Sequence, residues 1–391
     1  MKRGFLKYLF YRSLVSVLSI FKFIARFSFK RSEPHIVLIK IDHLGDFVLF
    51  SGVLKELSVY HRKESIILIA NKALQEYIDE CPYIKRAIYF DKKRQNDFLY
   101  LIRFLIKLPF INSKIVANFN YSRTIFSDLI TYCFNAKQKA GFCAELSEDK
   151  TVREIDAAID IYTKTIKSNN SKHELELHAL FLNNLFDTSQ YKEIIPALWE
   201  NKSERVGKKL QSLFQETGGK KILICPDASF KEKFYGFDNF EKIIEAIKNQ
   251  IDNSIALHFF VIGAEKNHYF DRLSVHEVNA SFHNISGETN LSELFYTIRN
   301  CDILIGNDSG PAHIALALKK MTFVIYGGGH YGRFFPYPSN NYLKGYISGC
   351  NFYGCQWNCR MGTPVCVTDI PPEKVSFDVI NYLSKNEVRS N

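Results

Sequence analysis

The feature that most constrains this chain is an alternation of strand and helix signals that runs twice. "HIVLIKI" (35–41) is a continuous apolar run rich in β-branched residues, the pattern of a strand buried on both faces. The loop "DHLGD" follows it, and a helical pattern then extends from about Phe47 to Tyr60. "SIILIA" (65–70), "RAIYF" (86–90) and "SKIVANF" (113–119) repeat the strand signal, with helical segments between them. Between about 150 and 215 the pattern turns helical and polar, with a loop at "KSNNSKHE" (167–174) before the helix "LELHALFLNNLF". The alternation then restarts. "KKILICP" (220–226), "IALHFFVIG" (255–263), "CDILIGN" and "MTFVIYG" (321–327) read as strands. "FDNFEKIIEAIKNQ", with Asp238 expected as N-cap, and "NLSELFYTIRN" read as helices. Alternation of this kind forces parallel pairing through right-handed crossovers, so two α/β halves joined near residue 200 are expected. Two such domains facing each other leave a cleft, and ligands of open α/β sheets sit beyond the carboxyl ends of the strands.

With 391 residues, each half has chain enough for its own core. The formal net charge of +10 suits nucleic acid, an anionic membrane surface or phosphorylated substrates alike. No nucleic-acid module is evident, and part of the positive charge concentrates in residues 1–31. There, Arg12, Lys22 and Arg26 interrupt an aromatic-rich apolar run, so it lacks the roughly 20 unbroken apolar residues of a spanning helix. At 100° per residue Arg12, Lys22, Arg26 and Lys30 share one arc, with Leu6, Phe10, Val17, Phe21 and Ile24 roughly opposite. A basic amphipathic helix lying on an anionic leaflet is the expectation; a helix packed on the protein's own body is the alternative. No A-x-A cleavage site follows, which argues against a signal peptide.

The nine cysteines form an odd, scattered set that favours reduced thiols in a cytoplasmic protein. Cys350, Cys355, Cys359 and Cys366 are denser. Their C-x4-C-x3-C-x6-C spacing lacks the paired C-x2-C knuckles of structural zinc, so local packing or a disulfide is expected there rather than a metal.

Three loops carry chemistry. In "DHLGDF", Asp46 stands where a buried strand hands over to a helix, with Asp42 four residues earlier. A carboxylate there can cap or complement the helix dipole, or serve as a general base. In "CPDASFKEKFYGF", Ser229 and Lys233 occupy the corresponding place of the second half, where a hydroxyl and an ammonium suit a phosphate. No Walker A loop occurs. In "GNDSGPAH" the amides of Ser309 and Gly310 begin a helix, with Pro311 in its first turn. Amides and dipole together make an anion site. Asp308 would repel phosphate and is expected to reach sideways to sugar hydroxyls. His313 either donates to a phosphate or satisfies a helix carbonyl.

"IVLIKIDHLGDFVLFSGVLKEL", "PDASFKEKFYGFDNF", "NISGETNLSELFYTIRNCDILIGNDSGPAHIALAL" and "CVTDIPPEKV" together resemble glycosyltransferase family 9, the lipopolysaccharide heptosyltransferases and their relatives, over roughly residues 35–385. The resemblance implies a GT-B fold, two Rossmann-like domains facing a cleft with the donor held mainly by the C-terminal one. The expected layout is a membrane-associating segment (1–33), an acceptor domain (34–205) and a nucleotide-sugar domain (206–391). Inverting, metal-independent sugar transfer without a cofactor is implied, from a nucleotide sugar such as ADP-heptose to a lipid-linked saccharide. By position Asp46 matches the family's general base. Ser229 and Lys233 match its donor-phosphate contacts, and Asp308 its sugar-binding aspartate. Ser309, Gly310 and His313 match its phosphate-binding turn, and Glu265 stands nearest the ribose-binding acid. Where the family often has Trp-Pro after the lysine, this chain has "KFYGF". The implied location is the inner face of a bacterial inner membrane, with no nucleic-acid partner. A sugar-nucleotide epimerase of similar fold and a non-catalytic nucleotide-sugar-binding protein are the competing readings.

Overall fold

Both halves of the chain build an all-parallel six-stranded sheet, as the alternation demands. The computed structural model describes residues 2–27, 33–143, 160–168, 173–200, 206–216, 218–273, 279–338 and 340–387, with the side chains of the N-terminal helix from Leu14 onward. The expected contributions of Leu6, Phe10, Arg12 and Lys30, and part of the 167–174 loop, lie outside the described residues. The chain divides into two compact units, Met1–Trp199 and Glu200–Asn391.

In the first unit β1 (His35–Lys40), β2 (Ile66–Asn71), β3 (Arg86–Phe90), β4 (Ser113–Asn118), β5 (Gln138–Phe142) and β6 (Lys164–Ile166) run in the order β3-β2-β1-β4-β5-β6. Strand β2 is buried along its whole length and β1 nearly so, which is why their sequences are continuously apolar rather than alternating. Around the sheet lie α1 (Lys2–Ala25), α2 (Leu44–Tyr60), α3 (Ile125–Cys133) and α4 (Glu174–Leu185). A capping box between Thr124 and Ser127 starts α3. Just before it the buried Arg123 grips Asp128 with two hydrogen bonds (3.0 and 2.7 Å), and Tyr162 donates to the same carboxylate at 2.6 Å.

The second unit repeats the plan. Its strands are β7 (Lys220–Cys225), β8 (Leu257–Val261), β9 (Ala280–Asn284), β10 (Ile303–Asn307), β11 (Met321–Ile325) and β12 (Leu343–Tyr346), in the order β12-β11-β10-β7-β8-β9. Its helices include α5 (Phe237–Gln250), α6 (Leu291–Arg299), α7 (Gly310–Ala317) and α8 (Pro372–Glu387). Phe240, Ile243, Ile244 and Ile247 form one helical face of α5 and bury against the sheet. Each such side chain contributes about 1.5–3 kcal/mol of burial.

In each sheet the strand order reverses beside the first strand, between β1 and β4 and between β7 and β10. At such a switch point the crossovers leave in opposite directions and open a crevice at the carboxyl ends. The loops carrying Asp46, Lys233 and Asp308 all leave from these points.

Four expectations need correction. Helix α2 starts at Leu44 with His43 extended at its N-cap, so Asp46 lies inside the first turn rather than in a loop before it. Asp238 does not cap α5. Gly236 does, at φ 103°, a conformation an L side chain resists, and the Asp238 carboxylate instead accepts from Tyr269 Oη. Strands β5, β6, β9 and β12 gave no recognised signal because they are short, polar or glycine-bearing, and their pairing partners define them. The fourth concerns α1. Leu14, Leu18 and Ala25 are buried, with Leu14 and Leu18 joining the first unit's core, while Lys22 sits half-buried with its ammonium 3.9 Å from the Tyr132 ring centre. Lys22 therefore belongs to the docked face. Val17, Ile20, Phe23, Ile24 and Phe27, spaced along the other side, are 43–68% exposed.

Candidate active site

The first unit's polar cluster grows from Lys40, the last residue of β1, whose side chain is wholly buried. Its ammonium donates to Phe119 O (3.1 Å) and Glu174 Oε1 (3.2 Å) and pairs with Asp42 Oδ2 (3.0 Å). Burial alone would strip its proton. The carboxylates of Asp42, Glu174 and Asp46 outweigh that cost and hold its pKa above the ordinary lysine value. His178, 3.6 Å from Glu174, is pushed by burial down to about 3 and adds no charge. Lys40 thus neutralises Asp42, while Asn71 and Asn120 pin the loop backbone at Asp42 O (3.1 Å) and Ile41 N (3.2 Å).

Asp46 is half-buried in the first turn of α2, within electrostatic reach of Lys40. The partial positive charge of the helix end lies beside it. Asp42, in the loop before the helix, meets the same lysine at contact distance. His43 lies beside it with Nε2 3.3 Å from Lys92, and burial together with that ammonium keeps its pKa below the usual histidine value.

The second unit assembles a different set. Lys233 is buried in the turn after β7, and its Nζ donates to Asp308 Oδ2 at 2.9 Å. Asp308 follows β10, its side chain only 7% exposed, and its other oxygen lies 3.9 Å from His313 Nε2. His313 turns Nδ1 to Tyr337 Oη at 2.8 Å. Burial, with the Asp308 charge adding to it, holds the Tyr337 phenol well above its ordinary pKa. Lysine, aspartate, histidine and tyrosine thus form one buried chain at the base of α7. Ser309 is the N-cap of α7, extended and without a side-chain cap bond, its Oγ 3.6 Å from Cys225 Sγ. Pro311 stands in the first turn. The aromatic partner of Lys233 is Trp357, whose ring centre lies 4.7 Å from the ammonium and which comes from a distant loop.

Of the remaining sequence-derived residues, Ser229 is exposed on the loop after β7 and Glu265 on the loop after β8. Glu265 lines a groove with Asp227, Phe230, Lys231, Phe234 and Lys266. Asp227 had drawn no attention in the sequence. Its carboxyl occupies the space a side chain on Gly263 would need, since a Cβ there would meet Asp227 Oδ2 at 2.2 Å. Burial raises its pKa, and Glu265 adds to the rise. The available signal was its place, one residue beyond Pro226 at the end of a buried strand.

Two Rossmann-like units with groups of this kind at their switch points are the architecture of GT-B glycosyltransferases. The model of Glycosyltransferase family 9 (heptosyltransferase) matches residues 120–351. The chain is 24% identical over 344 residues to lipooligosaccharide heptosyltransferase 2 of Campylobacter jejuni subsp. jejuni serotype O:6, covering 86% of this chain and 95% of that protein. Among solved structures it resembles E. coli ADP-heptose lps heptosyltransferase II, with TM-score 0.64 and 17% identity over 90% of this chain and 99% of that one. It also resembles E. coli heptosyltransferase WaaC with ADP-2-deoxy-2-fluoro heptose, with TM-score 0.60 and 13% identity over 90% and 99%. The chain belongs to glycosyltransferase family 9.

Proposed function

We propose that this enzyme moves a heptose from ADP-heptose onto a hydroxyl of a lipopolysaccharide or lipooligosaccharide acceptor, inverting the anomeric carbon in one displacement. The observation that carries the reading is the buried Lys233–Asp308 pair at the base of the α7 N-terminus. As the glycosidic bond stretches, charge grows on the leaving diphosphate. The Lys233 ammonium and the amides of Ser309 and Gly310 are suited to stabilise it without a divalent ion at the reacting centre. Ser229 adds a hydroxyl to the diphosphate, while Asp308 and His313 set the lysine and accept or donate to sugar hydroxyls. The groove bearing Glu265 and Asp227 suits the nucleoside, with carboxylates for ribose hydroxyls and Phe230 and Phe234 as apolar walls. Asp46 takes the acceptor proton, and the sugar passes through an oxocarbenium-like state. The heptose donor is inferred from the similarity to the E. coli heptosyltransferases and the acceptor class from the C. jejuni relative.

Incubating the enzyme with a panel of nucleotide sugars, with and without heptose-deficient lipooligosaccharide, tests this. ADP should appear from ADP-heptose only when acceptor is present. Release from another nucleotide sugar, or a new sugar-nucleotide isomer formed from donor alone, would sink the reading.

The exposed face of α1 belongs to the same picture. Among the described residues no helix is long and apolar enough to cross a membrane. Val17, Ile20, Phe23, Ile24 and Phe27, with basic residues along the helix, suit the headgroup boundary of an anionic leaflet at the cytoplasmic face of the inner membrane. The double variant Phe23→Ser, Ile24→Ser should weaken binding to phosphatidylglycerol vesicles, read by co-sedimentation, by about a hundredfold or more, as expected for losing two lipid-buried side chains worth about 1.5–3 kcal/mol each. Unchanged sedimentation would remove α1 as the contact.

A further inference from the structure

We propose that Cys350, Cys355, Cys359 and Cys366 together bind one thiophilic cation, zinc or iron, which staples the irregular segment after β12 to the body of the second unit. Although the sequence spacing lacks paired knuckles, the fold brings the four residues to one place. All four residues line the same small cavity, beside Glu232 and Trp357, although they span residues 350–366. The spacers fold back through tight turns, and two consecutive non-glycine residues, Gln356 and Trp357, adopt φ of 52° and 63°. Left-handed backbone at such residues costs about 1–3 kcal/mol each and persists only where something over-determines it.

Between Tyr346 and Val365 the chain forms only turns and bends, with no helix or strand of its own to supply stability. Short irregular segments of this kind are where a tetrahedral thiolate site contributes folding energy outright. Cys366 is buried and the other three are half-buried, so the site would be shielded yet reachable. Two sulfurs already accept backbone N–H groups, Cys350 from Phe352 at 3.4 Å and Cys366 from Gly328 at 3.3 Å. Arg360, also on the cavity, adds positive charge.

All four cysteines are free thiols, and Cys359 donates to Thr363 O at 3.3 Å. Among the described residues no group of three or more His, Cys, Asp or Glu side chains is already placed to hold an ion. Binding therefore requires the thiols to close in, each releasing its proton to solvent as its sulfur lone pair becomes a metal bond. Up to four protons leave per divalent ion, with no change of oxidation state. An all-sulfur tetrahedral set selects zinc or iron over magnesium or calcium.

The staple has a second consequence, which rests on the donor-site reading above. Trp357 lies between Cys355 and Cys359, its ring against the Lys233 ammonium and its Nε1 donating to His330 Nδ1 at 3.2 Å. A cation at the four sulfurs would fix the aromatic wall of the donor-phosphate lysine.

The test uses the full chain, purified without chelators and analysed by elemental mass spectrometry. We expect about one zinc or iron per chain, as a closed four-sulfur site requires. Reduced, metal-free chain titrated with cobalt(II) should develop thiolate-to-cobalt charge-transfer absorption, which zinc then bleaches. Cys355→Ser and Cys359→Ser should each cut that band severalfold. In a Trp199→Phe background Trp357 is the sole tryptophan, and its emission should shift on metal removal. A reduced wild-type chain that takes up neither metal overturns the proposal whatever the variants do. So does metal retained after all four cysteines become serine, or a native mass short by two hydrogens per cysteine pair. None of these outcomes bears on the sugar-transfer assay, so the two proposals fail separately.

Discussion

Asp46→Asn is expected to lower sugar transfer by about three orders of magnitude while leaving donor affinity essentially unchanged. Loss of a positioned general base is worth about 10²–10⁴ in rate. The substitution preserves shape and removes the negative charge, and with it the ability to take a proton. It should also fold. Asparagine is tolerated in a first helical turn, and Lys40 keeps Asp42 at 3.0 Å and Glu174 at 3.2 Å as partners. The decisive measurement is single-turnover transfer alongside ADP-heptose titration. A variant that transfers at near-wild-type rate excludes Asp46 as the base. Asp42→Asn supplies the contrast, since that carboxylate already answers a buried ammonium. It should lower stability more than it lowers the chemical step.

The second large effect is expected at Lys233. Lys233→Met leaves Asp308 as a buried carboxylate with its contact cation gone, and breaking one partner of a buried pair costs about 3–5 kcal/mol. The same change removes the charge-assisted contact proposed for the donor diphosphate, worth about 1.5–3 kcal/mol, or roughly 10- to 150-fold in affinity. The two losses can be separated. Adding Asp308→Leu removes the orphaned charge, and replacing both members of a buried pair with apolar residues is often close to neutral. The double variant should regain much of the melting temperature and none of the ADP-heptose affinity. Recovery of binding together with stability would mean that Lys233 acts on the fold and not on the donor.

The parts of this molecule legible in its sequence are those written in a few adjacent residues. Of the eight strands read from the sequence, β1, β2, β7 and β10 were plainest because they are largely buried and so run apolar. "GNDSGPAH" could be read as strand, turn and helix because an apolar run ends there and Pro311 suits a first helical turn. What could not be read is long-range. Lys233 and Asp308 are 75 residues apart, and no local pattern says that one neutralises the other. The same holds for Trp357 over Lys233 and for four unevenly spaced cysteines around one cavity. Edge strands such as β6 (KTI) and β12 (LKGY) exist because a neighbour offers hydrogen bonds, which their own residues do not advertise. At the start of α5, residue preference pointed to Asp238, while the backbone needed φ 103° and chose the glycine two residues earlier.

Helix α1 has a mechanical consequence. A lipid-seeking segment joined by a slack linker would hold an enzyme near a bilayer and leave it free to tumble. Here Leu14 and Leu18 are part of the first unit's own core, and Asn135 donates to Lys22 O at 2.8 Å. With one side of the helix built into the body that carries Asp46, whatever grips the other side also sets how that body is tilted. The carboxylate proposed as the base would then sit at a fixed height above the lipid, so that the length of the proposed acceptor's inner sugar chain becomes a quantity the enzyme can measure.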